Sequence, residues 1–142
     1  MLLGCFLVLN GITLYSQSYG NEWIDYNEKY LEFPITESGI QRINYAAVSV
    51  GLSNLGVNIN AVSKSGFQIF GREKEVSIEI IDNNSNGFID SNDYIQFYAE
   101  SNDGWLDHLV YDTVDFLADD YYSLFNDTIR YFLTWNNGFN NK

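Results

Sequence analysis

The sequence predicts a mainly β protein, an antiparallel β-sandwich or jelly-roll-like domain with one short helix. About eight short runs alternate apolar and polar residues with a period of two, the pattern of strands with one face on a core and one in water. Asparagine, aspartate, serine and glycine recur between the runs as turn residues, and Pro34 is the only proline. Three Trp, ten Phe and eleven Tyr supply broad side chains that pack well on pleated sheets.

Residues 1–16 carry no charge and include Leu2, Leu3, Cys5, Phe6, Leu7, Val8 and Leu9. This is the pattern of a secretory signal segment cleaved after Ser16, leaving a mature domain over 17–135 that begins at Gln17. The run is interrupted by Asn10 and Gly11 and is shorter than the ~20 apolar residues a membrane span needs. Leu3-Gly4-Cys5 has the look of a lipoprotein signal, but the cysteine stands too close to the start for a hydrophobic region to precede it. Cleavage removes that only cysteine, and with it any disulfide or thiol nucleophile.

A polar stretch over 18–28 holds Trp23 and Tyr26. Residues 29–35 follow as a strand that Pro34 confines to an edge. A turn at 36–39 leads to a return strand over 40–43, so these two runs are expected to form a hairpin. Asn44 is placed to cap a short helix through Tyr45, Ala46, Ala47 and Val48, with Gly51 as its stop. Residues 52–60 read as loop, 61–63 and 67–70 as short strands, and 71–74 as a turn. Val76, Ile78 and Ile80 then alternate with Ser77 and Glu79, and Ile95, Phe97 and Ala99 with Tyr94, Gln96 and Tyr98. A second acidic turn over 100–107 can lie beside the acidic 82–93 loop and lend it a ligand, although such a stretch is more often only a turn. Residues 109–111 read as a short strand, 116–125 as irregular or briefly helical, 128–135 as the last strand, and 136–142 as the start of a linker.

Between the two alternating runs lies the most specific motif of the chain. Residues 82–93 carry oxygen-bearing side chains at Asp82, Asn84, Asn86 and Asp90, glycine at the sixth position (Gly87) and Asp93 at the twelfth. That is the spacing of a calcium loop, in which alternate residues of a tight curl point oxygens at one hard cation and the Phe88 carbonyl adds a main-chain ligand. Ile89 is expected to turn inward as an apolar anchor. Strands rather than helices flank the loop, and the closing Asp is the dockerin-like variant. One methylene shorter than Glu, it binds through one oxygen, giving an affinity of roughly 0.1 to 1 mM. The competing reading is a polar hairpin loop, since turns are made of the same residue types.

The formal net charge of −12, from 19 acidic residues against seven Lys and Arg, argues against nucleic-acid phosphates and anionic membranes as partners and favours cations. Catalysis is hard to assemble. His108 is the only histidine, and beside Asp107 it reads as part of a solvated turn rather than as a general base. Glycine-rich phosphate loops are absent from the sequence. Adjacent Asp119 and Asp120 read as surface rather than as a glycosidase pair. Trp105, Tyr98, Tyr121 and Tyr122 offer a sugar platform, although packing explains them more simply.

Several stretches together resemble one family. Residues 37–45 (Glu-Ser-Gly-Ile-Gln-Arg-Ile-Asn-Tyr), 67–73 (Phe-Gln-Ile-Phe-Gly-Arg-Glu), Phe88-Ile89-Asp90, 93–98 (Asp-Tyr-Ile-Gln-Phe-Tyr), 102–107 (Asn-Asp-Gly-Trp-Leu-Asp), 123–128 and 131–135 are similar, in order, to the N-terminal region of PorU-like sortases of the type IX secretion system, which are gingipain-type cysteine peptidases. The resemblance implies a β-rich domain ahead of a caspase-like catalytic domain, and a place in the periplasm, outer membrane or cell surface of a Gram-negative bacterium. It implies as partners that downstream catalytic domain, secreted cargo and components of the secretion system. The family's catalytic Cys and His would lie beyond Lys142, so no catalytic residue carries over. Two functions fit the sequence: a noncatalytic, calcium-stabilised N-terminal module of a surface sortase, or a secreted adhesion or carbohydrate-binding β-module.

Overall fold

The computed structural model describes residues 20–110, 119, 121–139 and 141. The expected signal segment, its cleavage point and Gln17 lie outside them, as do Tyr111, Phe116 and Asp120. Among the described residues the fold is a sandwich of two antiparallel sheets with one α-helix. The strands are β1 (Leu31–Ile35), β2 (Gly39–Asn44), β3 (Phe67–Gly71), β4 (Lys74–Val76), β5 (Ile78–Ile81), β6 (Tyr94–Ala99) and β7 (Ile129–Trp135), and the helix α1 is Tyr45–Asn54. One sheet has the order β1-β7-β3-β4 and the other β2-β6-β5.

The two sheets share one core. Ile43, Ile95, Phe97 and Ala99 from the three-stranded sheet pack with Ile35, Phe67, Ile69, Tyr131 and Leu133 from the four-stranded one. The Phe97 and Tyr131 rings meet across the interface at 5.7 Å between centroids. On the outer side of the larger sheet, Trp23 stacks on Phe70 at 5.2 Å and leans on Phe132 at 5.1 Å, so the described part of the polar stretch, from Gly20, covers that face through its indole.

Two expectations fail for the same reason, that a half-buried alternating strand fits either sheet. The runs at 29–35 and 40–43 form no hairpin: β1 pairs with β7 and β2 pairs with β6. Pro34 does place β1 at an edge, where its missing N–H costs no ladder bond. The alternating run before the acidic loop is likewise two strands, β4 in one sheet and β5 in the other, with Ser77 as the corner between them. Along the strands the chain thus changes sheet four times, from β1 to β2, β2 to β3, β4 to β5 and β6 to β7.

Asn44 caps α1 as expected, its Oδ1 accepting the Ala47 N–H at 2.9 Å. Gly51, however, lies inside the helix, which runs on to Asn54. A Cβ at Gly51 would stand 2.6 Å from Leu31 Cδ1, so the glycine permits close approach to β1 instead of stopping the helix. Residues 61–63 are not a strand; Ile59–Ala61 is a 3₁₀ turn, and Asp107–Leu109 is another, so the strand expected over 109–111 does not begin at Leu109, while Tyr111 lies outside the described residues. Of the expected linker, Asn136 N–H donates to the Gly66 carbonyl at 2.9 Å and Asn141 N–H to the Ser65 carbonyl at 3.0 Å.

β7 lies between β1 and β3 and is buried on both faces at Leu133 and Thr134, which are 0% and 2% exposed. Among the described residues the Thr134 hydroxyl has no hydrogen-bond partner. Replacing it with a methyl removes a desolvated polar group at nearly constant volume, so Thr134→Val is expected to stabilise the protein by about 1 kcal/mol. Leu133→Ala opens a cavity and is expected to cost about 2–5 kcal/mol. Urea titration of both variants checks the pair, and equal signs for the two would refute this account of β7.

Candidate metal centre

Residues 82–93 join β5 to β6, neighbours with Ile81 opposite Tyr94. The loop is therefore the end of a hairpin, as the flanking alternation requires. Gly87 takes a φ of 85°, supplying the sharp turn expected at the sixth position. Ile89 is fully buried, which pins the middle of the loop to the core as an apolar anchor. Phe88 is exposed beside it.

The expected ligand side chains fall into two connected groups. In the first, Asp82 Oδ2 accepts the Gly87 N–H at 2.9 Å and the Lys64 ammonium at 2.9 Å, while its Oδ1 and Asn84 Oδ1 both accept the Asn86 N–H, at 3.2 and 3.1 Å. Asp90 Oδ2 takes the side-chain amides of Asn84 and Asn86, at 2.5 and 3.0 Å, and Asn86 Oδ1 accepts the Phe88 N–H at 2.8 Å. In the second group, Asp93 holds the two ends of the loop together. Its Oδ1 accepts the Asn83 N–H at 2.9 Å and its Oδ2 the Asp90 N–H at 2.9 Å.

Two partners were not named from the sequence. Asn83 contributes both its N–H and its side-chain amide to Asp93. Lys64, eighteen residues before Asp82, reaches it from the 3₁₀ turn Lys64–Gly66, and its own N–H donates to the Gly87 carbonyl at 2.9 Å. No local spacing signals that contact, because it exists only once the sandwich has brought the two sheets together.

The electrostatics follow from these bonds. The Lys64 hydrogen bond is the largest influence on Asp82 and, with the Gly87 and Asn86 amides, outweighs the opposing effect of burial, so its carboxyl sits below the usual range. For Asp93, burial pushes upward most strongly, but the Asn83 and Asp90 amides together hold it below the usual range; the nearby charge of Asp82 works against them. The donor chemistry of three carboxylates and two amide oxygens suits a hard cation. Their oxygens face amide hydrogens and one ammonium in this arrangement, and among the described residues no three acidic, imidazole or thiol groups converge as a ligand cluster.

The acidic turn at 100–107 is not beside this loop. It follows the other end of β6, about 20 Å away at 3.3 Å per residue, and supplies it no ligand. Asp119 Oδ1 accepts the Tyr121 and Tyr122 N–H groups at 2.7 and 3.1 Å, the geometry of a turn cap. Packing does not account for Tyr98, Tyr121 and Tyr122, which are exposed; Trp105 is half-buried against the Arg72 guanidinium. Among the described residues no helix is long and apolar enough to cross a membrane.

Asp82 and Asp93 have folded-state pKa values below their unfolded ones near 3.9, so their stabilising effect is present above that value and lost as pH falls through the folded pKa. In EDTA the melting temperature is expected to decline from about pH 5 downward, and less steeply in Asp93→Asn. At pH 7 that variant sets an amide NH₂ against the Asn83 or Asp90 N–H and is expected to cost about 1–3 kcal/mol. A flat pH profile in the unmodified protein would show that the loop carboxylates do not support the fold. No protein-family model, curated protein or solved structure matches this chain.

Proposed function

We propose that the chain is a noncatalytic β-sandwich module of an exported surface protein of the PorU-like sortase kind, and that the 82–93 loop closes on calcium. The observation that carries the calcium reading is the loop itself. Twelve residues in ligand register cap a hairpin, the Asp82 side chain and Asp93 at its two ends are only 1% and 2% exposed, and Ile89 anchors its middle. The resemblance supports the surface-module reading. Its stretches fall on β2 and the α1 cap, β3 and its turn, the loop, β6, the Arg72-bound segment and β7, which together form the frame of the sandwich.

In this reading Asp82, Asn84, Asn86, the Phe88 carbonyl, Asp90 and Asp93 hold the ion, which supplies the positive charge that three crowded carboxylates need. Lys64 then serves as the counter-charge of the metal-free loop and gives up Asp82 when calcium enters. The ion's role is structural, stiffening the β5–β6 hairpin. Its effect follows from binding the folded state alone: at calcium about tenfold above Kd the gain is on the order of 1.4 kcal/mol, or roughly 3 to 6 °C in melting temperature. Magnesium, which keeps its own water shell, is expected to do less.

Melting curves in EDTA, in millimolar calcium and in millimolar magnesium, on the protein and on Asp82→Ala, test this reading. The calcium shift is expected to vanish in Asp82→Ala. No calcium shift, or a full shift in that variant, would reduce the loop to a polar turn. A second assay tests the absence of peptidase chemistry: the resemblance implies that sortases of this kind remove C-terminal sorting signals from secreted cargo, and a labelled peptide carrying such a signal is expected to remain intact with this protein; turnover lost in His108→Ala would overturn that expectation.

A further inference from the structure

A cleft of about 390 Å³ at the end of β6 remote from the acidic loop has no role in the reading above. Its volume lies at the small end of ligand sites, suited to one long side chain and its neighbours rather than to a broad protein face. Trp105, Phe125 and Phe132 give it aromatic walls, Asn126 lies among them, and Glu73 and Asp107 supply carboxylates. Phe125 is 63% exposed and Leu106 40%, so the mouth is apolar.

Arg72 and Arg130 also line the cleft, which at first favours an anionic ligand. Both guanidinium groups are already engaged. Arg72 binds Glu100 at 2.6 Å and Asp103 at 2.7 Å, and Arg130 pairs with Glu32. Burial is the largest influence on Arg72 and pulls its pKa down, but Asp103 and then Glu100 outweigh it and hold the group above its ordinary value. Among the described residues, Glu73 and Asp107 have neither a side-chain hydrogen bond nor an ion pair. Five carboxylates (Glu32, Glu73, Glu100, Asp103, Asp107) against two guanidinium groups leave the region at −3. Asp107 is half-buried, and a carboxylate partly withdrawn from water favours the arrival of a cation.

We infer that this cleft binds a basic side chain, lysine or arginine, carried on an extended segment of a partner protein and flanked by apolar residues. Three features make the fit. The aromatic walls attract a cation and its alkyl stem together, and the chain already seats one there, with the Arg72 guanidinium 5.2 Å from the Trp105 ring centre. Asp107 and Glu73 provide the charge partners. The exposed Leu106 and Phe125 receive the apolar neighbours, and the chain's net charge of −12 draws basic segments toward it.

The test uses an acetylated, amidated Ser-Phe-Lys-Leu-Ser peptide, its Nε-acetyllysine twin and putrescine, titrated into the protein while the indole N–H resonances are followed by NMR. The lysine peptide is expected to shift the Trp105 resonance, and the acetyllysine twin to bind at least about tenfold more weakly. Asp107→Asn is expected to weaken the lysine peptide about tenfold and Glu73→Gln less, with melting temperatures unchanged, and raising NaCl from about 50 to about 500 mM weakens it further. Equal binding of the acetylated twin, full affinity in Asp107→Asn, or no shift at Trp105 would overturn the proposal. Putrescine binding as tightly as the peptide would overturn the peptide source in favour of a small-amine site. Calcium-dependent melting is unaffected by any of these outcomes, so failure here and failure of the calcium loop are read separately.

Discussion

The two sheets are pinned to each other at both ends by a cation from one and a carboxylate from the other. At one end Lys64, just before β3, holds Asp82, just after β5. At the other, Arg72, just after β3, holds Glu100 and Asp103, just after β6. The clasps are unequal. Arg72 is 13% exposed and engages two carboxylates, whereas Lys64 is 44% exposed, where solvent screens an ion pair. The Arg72 end is the fixed one. Tyr131 reinforces it, its hydroxyl accepting the Glu100 N–H at 2.9 Å. The Lys64 end is the one at which a competing cation has least to displace.

That asymmetry bears on the backbone as well. Arg72 and Glu73 both have positive φ, 51° and 64°, in the two-residue turn between β3 and β4. Such a turn matches the twist of adjoining strands but disfavours side chains with a Cβ. The chain accepts that cost because the turn aims the Arg72 guanidinium across the sheet interface, where the carboxylates and the Trp105 ring receive it.

Period-two alternation made the sheet content legible, and β1, β3, β6 and β7 lie where the runs and their turn residues put them. Local chemistry gave the Asn44 cap, the Gly87 turn and the inward Ile89, each a matter of a few neighbouring residues. Pairing was not legible. Nothing in residues 29–43 distinguishes a hairpin from two strands that part company, and Ser77 looks like any polar position of an alternating strand until the chain turns there. Gly51 misled because a helix interior and a helix end use glycine for different reasons, and only the contact with Leu31 tells them apart. At the loop, spacing singled out the residues whose side chains bond to one another there, while Lys64, and at the other end Arg72, stayed hidden because their partners are distant in sequence.

β6 links the acidic loop to the cleft, and its construction determines how far the two can influence each other. It is the middle strand of its sheet, paired along its length with β2 and over four residues with β5, and Ile95, Phe97 and Ala99 are buried in the shared core. A close-packed strand held on both sides transmits little until its neighbours move as well. A rearrangement of the loop therefore acts on Ile81, Tyr94 and the hairpin end, while the Arg72 clasp fixes the far end in place. The strand keeps the two regions apart, so each retains its own chemistry: one gathers carboxylate and amide oxygens in a tight hairpin loop, the other sets aromatic faces beside the Glu73 and Asp107 carboxylates.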